Sequence, residues 1–180
     1  MIILKQGNKT AIIGHQLVER YNDSKFIVYY DHGDKKMDKA NVCEPTPYNK
    51  IKSDENTLSN IDIAIVEKKE NKLRILIEIE ESQAEPKKII GDMMNIILAD
   101  HILIKKIPYN LIVEPHFILG VIVNNKEGAS EKKIRWVSNE ILNILKQINR
   151  EQYIFHLIIV NDFISLKTKV EEKVDKILHC

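Results

Sequence analysis

Cysteine is scarce in this chain of 180 residues: Cys43 and Cys180 are the only two, and they stand far apart. Two such residues exclude a disulfide framework and give no zinc-ligand spacing, so both are expected as free thiols. Glycine is scarce as well. Gly91, Gly120 and Gly128 are isolated, and no glycine-rich run is present to cradle a phosphate. Long apolar runs are missing: none approaches the roughly 20 residues that a membrane span needs. The opening Met1-Ile-Ile-Leu-Lys5 is too short for a signal-peptide core, so a cytoplasmic location is expected. Nor does one sign of charge dominate. With 27 basic and 26 acidic residues the formal net charge is +1, unlike the strongly basic proteins that coat nucleic acid through its phosphates. Local basic clusters at Lys35-Lys36, Lys68-Lys69, Lys105-Lys106 and Lys132-Lys133-Ile-Arg135 read as solvated surface. There is no repeat and no low-complexity segment.

What is present is an ordinary globular composition, 44% hydrophobic and 29% charged, which points to one domain over residues 1–180 that buries about 70% of its unfolded surface. Ile12, Ile13, Leu17, Val18 and Tyr21 recur at helical spacing and predict a helix over 10–22. Phe26-Ile-Val-Tyr-Tyr30 reads as a strand. Residues 31–59 form a long polar loop, and a loop of that length in a compact domain is a candidate for substrate contact. Within it, Asp31-His32-Gly-Asp34 reads as a strand end turning through glycine. Glu85-Pro86 opens a helix that the pattern carries to about Leu103, with Lys88, Asp92 and Asn95 on its polar stripe. Strands over 117–123 and 153–160, helices over 131–148 and 166–178, complete the chain. Both late strands are nearly continuous apolar runs, as in strands covered on two faces. His101, His116 and His156 read as packing or surface residues, and Trp136 on its helix as core packing rather than base stacking.

The segment Asn60-Ile-Asp-Ile-Ala-Ile-Val66, a charged turn, and Leu73-Arg-Ile-Leu-Ile-Glu-Ile-Glu-Glu81 carry the chemistry. Side chains alternate along a strand, so Asp62, Ala64 and Val66 face one way and Ile61, Ile63 and Ile65 the other. Likewise Ile75, Ile77 and Ile79 oppose Arg74, Leu76, Glu78 and Glu80. A turn centred near Glu70 sets Asp62 across from Glu78, about 5 Å between facing side chains. Three carboxylates then share one patch. Like charges that close raise one another's proton affinity unless a cation sits among them, and hard oxygen ligands suit Mg²⁺ or Mn²⁺.

A meander followed by crossover helices implies an α/β fold with a central mixed sheet between helices. With that element order and the acids on the second and third strands, residues 10 to 160 resemble the PD-(D/E)XK, or restriction-endonuclease-like, nuclease superfamily. The resemblance implies that Asp62 matches the first aspartate, Glu78 the second acid, and Glu80 the position usually held by lysine. Ile61 stands where the motif has proline. The resemblance further implies a metal-dependent endonuclease of the restriction-modification or repair type, acting on duplex DNA, with Mg²⁺ or Mn²⁺ held by Asp62, Glu78 and Glu80. A homodimer would address both strands. Glu80 in place of lysine leaves three roles open: general base, extra metal ligand, or mark of lost activity. Glu19 resembles an acid that some members add from the first helix, and Lys87 or Lys88 would replace the missing ammonium. A silent member of the fold that binds nucleic acid or a protein is the alternative. An unrelated α/β module is a third reading.

Overall fold

A computed structural model describes residues 8–33, 35–48, 58, 60–80, 85–111, 115–123, 130–147 and 154–179. The elements run α1 (Asn8–Tyr21), β1 (Phe26–Tyr30), β2 (Thr46–Tyr48), β3 (Ile63–Glu67), β4 (Lys72–Glu80), α2 (Pro86–Leu98), β5 (His101–Ile104), β6 (Ile107–Asn110), β7 (His116–Ile122), α3 (Glu131–Gln147), β8 (Ile154–Val160) and α4 (Phe163–Leu178). Five strands form a mixed sheet in the order β1-β3-β4-β7-β8. The first three are antiparallel neighbours, and β7 and β8 run parallel to β4. The α/β class and the mixed sheet flanked by helices are therefore as the pattern predicted.

Strand alternation divides the apolar residues into two layers. Ile63, Ile65, Ile75 and Ile77 join Ile13 and Leu17 of α1 and Leu166, Val170 and Val174 of α4 on one face. Ala64, Val66, Leu73 and Leu76 join Ile89 and Met93 of α2 and Ile134 and Ile141 of α3 on the other. Ile61 breaks the expected alternation, because it precedes β3 and packs into the second layer. The layer under α1 closes around Tyr30: a Cβ on Gly14 would lie 2.3 Å from Tyr30 Cγ, so only glycine admits the ring there.

Three expectations about elements are corrected. The segment 31–59 is not structureless: Tyr30 bridges Val42, and Thr46–Tyr48 forms β2. The helix begun at Pro86 stops at Leu98, where Ala99 turns extended (φ −78°, ψ 142°). Residues 101–110 instead form a hairpin through Lys105 and Lys106 (φ 49° and 69°), and with β2 they make a second sheet in the order β2-β5-β6. The late strand β8 is the outer strand of the five and is covered on two faces as expected, with Phe155, Leu157 and Ile159 packed on one layer and Ile158 and Val160 on the other; only Ile154 at its start is exposed. α4 starts earlier than predicted, because Asp162 caps it by accepting from the Ser165 N–H at 2.8 Å. Among the described residues no helix is long and apolar enough to cross a membrane.

Candidate active site

β3 and β4 pair with Ile63 opposite Ile77, Ala64 opposite Leu76 and Ile65 opposite Ile75. The register then shifts, with Val66 opposite Leu73, so Arg74 is the extra residue of a bulge and reaches Glu67 at 3.6 Å. Continued outward by one residue, the ladder sets Asp62 opposite Glu78, the predicted register. Two hydrogen bonds join them crosswise. The Asp62 N–H donates to Glu78 Oε2 at 3.2 Å, and Asp62 Oδ2 accepts from the Ile79 N–H at 2.7 Å. The Asp62 carboxylate thus takes a β4 donor at the point where the β3–β4 ladder ends. Its backbone carbonyl accepts from the Asp31 N–H at 2.8 Å, which ties the end of β1 to the same corner.

Glu80 lies two residues beyond Glu78 on the same face of β4, and is only 7% exposed. The Lys88 ammonium on α2 stands 3.6 Å from Glu80 Oε1. One turn further along α2, Asp92 also feels Glu80. Its carboxyl is pushed up to about 6, first by burial and then by the charge of Glu80, against the opposing pull of Lys88. Glu78 is raised well above the usual carboxylate range, first by burial, then by the charges of Asp62, Asp92 and Glu80, with the Asp62 N–H acting in the opposite direction. Four acids, Asp62, Glu78, Glu80 and Asp92, therefore form one electrostatic group with Lys88 as its cation. Hard oxygen donors and excess negative charge suit a divalent ion in kind. In geometry the group is unassembled: among the described residues, no three His, Cys, Asp or Glu side chains converge as metal ligands.

Other residues singled out from the sequence are placed elsewhere. Glu19 is exposed on α1, across the sheet from the cluster, and pairs with His15 at 3.3 Å. His15 in turn meets Asp38 at 2.6 Å, and Tyr30 donates to the same Asp38 oxygen at 2.5 Å. Lys87 points to solvent and pairs with Glu85 at 3.1 Å. Asp31 turns back to accept from the His32 N–H at 2.6 Å, the turn that was expected, with His32 at φ 58°; Asp34 lies outside the described residues. His116 and His156 share an N···N contact of 2.9 Å between nearly coplanar rings. Cys43 is a half-buried free thiol, raised to about 11 by burial, and Cys180 lies outside the described residues. Trp136 corrects its packing assignment: it is 60% exposed on α3.

Asp92 is the member of the cluster that sequence reasoning missed. Its signal was present in the stripe Lys88, Asp92, Asn95, spaced i, i+4, i+7 on an otherwise apolar helix, but that stripe read as the solvated side. The structure turns Lys88 and Asp92 toward Glu80 instead. Compared with protein-family models, curated proteins and solved structures, the chain showed no match to any of them.

Proposed function

We propose that this chain is a metal-dependent nuclease with a restriction-endonuclease-like fold, hydrolysing DNA phosphodiester bonds in the cytoplasm. The observation that carries the reading is the crosswise bonding of Asp62 to the Glu78–Ile79 segment, which holds two carboxylates together at the mouth of a hairpin with Glu80 two residues on. Asp62 and Glu78, with Glu80 as a third oxygen donor, would hold Mg²⁺ or Mn²⁺. Such an ion supplies Lewis-acid polarisation of a phosphate and lowers the pKa of bound water. The chain's own residues contribute the rest. The Ile79 N–H fixes one Asp62 oxygen and so orients the carboxylate. Lys88 offsets the charge of Glu80 and places an ammonium beside the cluster, where the family motif has lysine on the strand. Glu78, buried beside the other acids, holds its proton more tightly than an ordinary carboxyl, so an ion bound there would take that proton's place.

The test is incubation of the purified chain with plasmid and Mg²⁺ or Mn²⁺, beside Asp62→Asn and Glu78→Gln. Both substitutions keep side-chain shape and remove charge. Nicking by the wild type that disappears in both is the expected outcome; equal nicking by all three proteins, or none by any, overturns the activity. One observation favours the silent alternative: Glu80 is already paired to Lys88, and no three acids converge. Thermal melting separates the two readings. Under the nuclease reading Mn²⁺ raises the melting temperature of the wild type and not of Asp62→Asn. Under the silent reading Mn²⁺ does nothing.

A further inference from the structure

Of the eight large apolar side chains exposed among the described residues, three line one groove between α2 and α3: Ile90, Trp136 and Ile144, exposed by 43, 60 and 41%. Met94, Val137 and Ile141 complete its walls, and Glu140 stands at its rim. The α2 face concerned is distinct from the stripe that carries Lys88 and Asp92, since Ile90 and Met94 lie roughly half a turn from it at 100° per residue. A contiguous apolar strip centred on tryptophan is the composition of a protein interface, where Trp is enriched among the anchoring residues.

The charges around the strip indicate which protein. Lys133 lies three residues before Trp136 and Glu140 four residues after it, both on the same exposed side of α3. Arg135 is committed to Glu131 at 2.7 Å, whereas neither Lys133 nor Glu140 forms an ion pair with another described residue. A cation, a central tryptophan and an anion in that order make a stripe that complements its own reversal. We propose that this groove is a two-fold interface between copies of this chain, with α3 antiparallel to its counterpart and Trp136 beside the axis. In that pairing Lys133 meets the partner's Glu140, Glu140 meets the partner's Lys133, and each indole lies along the apolar wall formed by Ile90 and Met94. Such an interface is isologous and closes at two subunits. If the acidic cluster acts on DNA, the axis relates two clusters as it relates phosphates of antiparallel strands. The pairing itself does not depend on that activity.

Sedimentation equilibrium of the full chain in metal-free buffer tests the proposal apart from any nuclease activity. The wild type should show a reversible monomer–dimer equilibrium. Trp136 is the sole tryptophan, so its emission should move to shorter wavelength as the dimer forms. Trp136→Glu should weaken association by about thirtyfold or more, as expected for a lost anchor. Lys133→Glu and Glu140→Lys should each weaken it, and the Lys133→Glu/Glu140→Lys double variant should restore it, because each new charge meets the other across the axis. If Trp136→Glu fails to fold, the charge-swap series decides alone. A wild type that stays monomeric up to its solubility limit overturns the proposal. So does a dimer in which the double variant is weaker than either single one.

Discussion

Asp62 has two separable roles at the end of the β3–β4 ladder. Its Oδ2 atom satisfies the Ile79 N–H, and its charge raises the proton affinity of Glu78. Asp62→Ala removes both and leaves a β4 donor without its acceptor, a loss of about 1–3 kcal/mol. Asp62→Asn keeps an oxygen for that donor and relieves the repulsion, so its cost should stay below about 1 kcal/mol. Urea unfolding of the two variants checks the difference; equal losses would show that the bond to Ile79 carries none of the stability. Gly14 offers a purely steric counterpart. A methyl there would sit 2.3 Å from Tyr30 Cγ and 2.4 Å from Cδ2, and the ring is fixed by its hydrogen bond to Asp38. Gly14→Ala should therefore cost about 2–3 kcal/mol even though alanine favours helix. A variant as stable as the wild type would show that the ring moves freely.

At the scale of elements, the legible parts were those in which one local pattern had one interpretation. Ile63-Ala-Ile-Val and Leu73 to Glu80 alternate with a period of two, and the turn between them is short, so pairing and register followed directly. The small sheet was illegible for physical reasons. Ile96, Ile97, His101, Ile102 and Ile104 extend an apolar pattern that suits a helix as well as a strand. The helix nevertheless stops at Leu98, without glycine or proline to announce it. β2 is three residues long and exists only because β5 pairs with it. The Lys105-Lys106 turn also hides its nature, since both residues take positive φ where Asn-Gly is usual. Lys105 has compensation, with its ammonium over the Tyr29 ring at 5.4 Å. Lys106 is an exposed turn residue with φ 69°, so Lys106→Gly should stabilise the hairpin by about 0.5–1 kcal/mol. Slower amide exchange in residues 101–110 would register the gain, and faster exchange would contradict the strained turn. Asp92 was missed for a related reason: helical periodicity shows which residues share a stripe, but not which neighbour the stripe meets.

Across the whole molecule, two sets of groups on opposite parts of the central sheet couple stability to pH in opposite directions. Asp92, raised from 3.8 to about 6, binds its proton more tightly in the folded chain than in the unfolded one. Its stabilisation is complete below about pH 3.8 and is lost as pH rises through 6. Glu78 acts in the same sense, and so does His15, which Asp38 raises. His156, lowered from 6.5 to about 4 by burial, then by Lys173 and His116, has the reverse sign. Its neutral ring stabilises the fold above pH 6.5, and that contribution is lost as pH falls toward 4. Each of the two terms with a defined window amounts to about 1–2 kcal/mol once partial exposure is discounted. Those two overlap between about pH 4 and 6 and largely cancel, so the wild type is left with the slope of Glu78 and should lose stability as pH rises there. The double variant Glu78→Gln/Asp92→Asn removes the acidic side of the balance, and its melting temperature should rise steadily from pH 4 to 6.5. His156→Gln removes the other, and its melting temperature should fall over the same range. Parallel curves for wild type and both variants would mean that neither group carries a shifted proton affinity. Saturating Mn²⁺ provides the link to function. Under the proposed metal-dependent reading, an ion that neutralises the acids should make the wild type behave like the Glu78→Gln/Asp92→Asn variant, and it should leave the slope set by His156 in place.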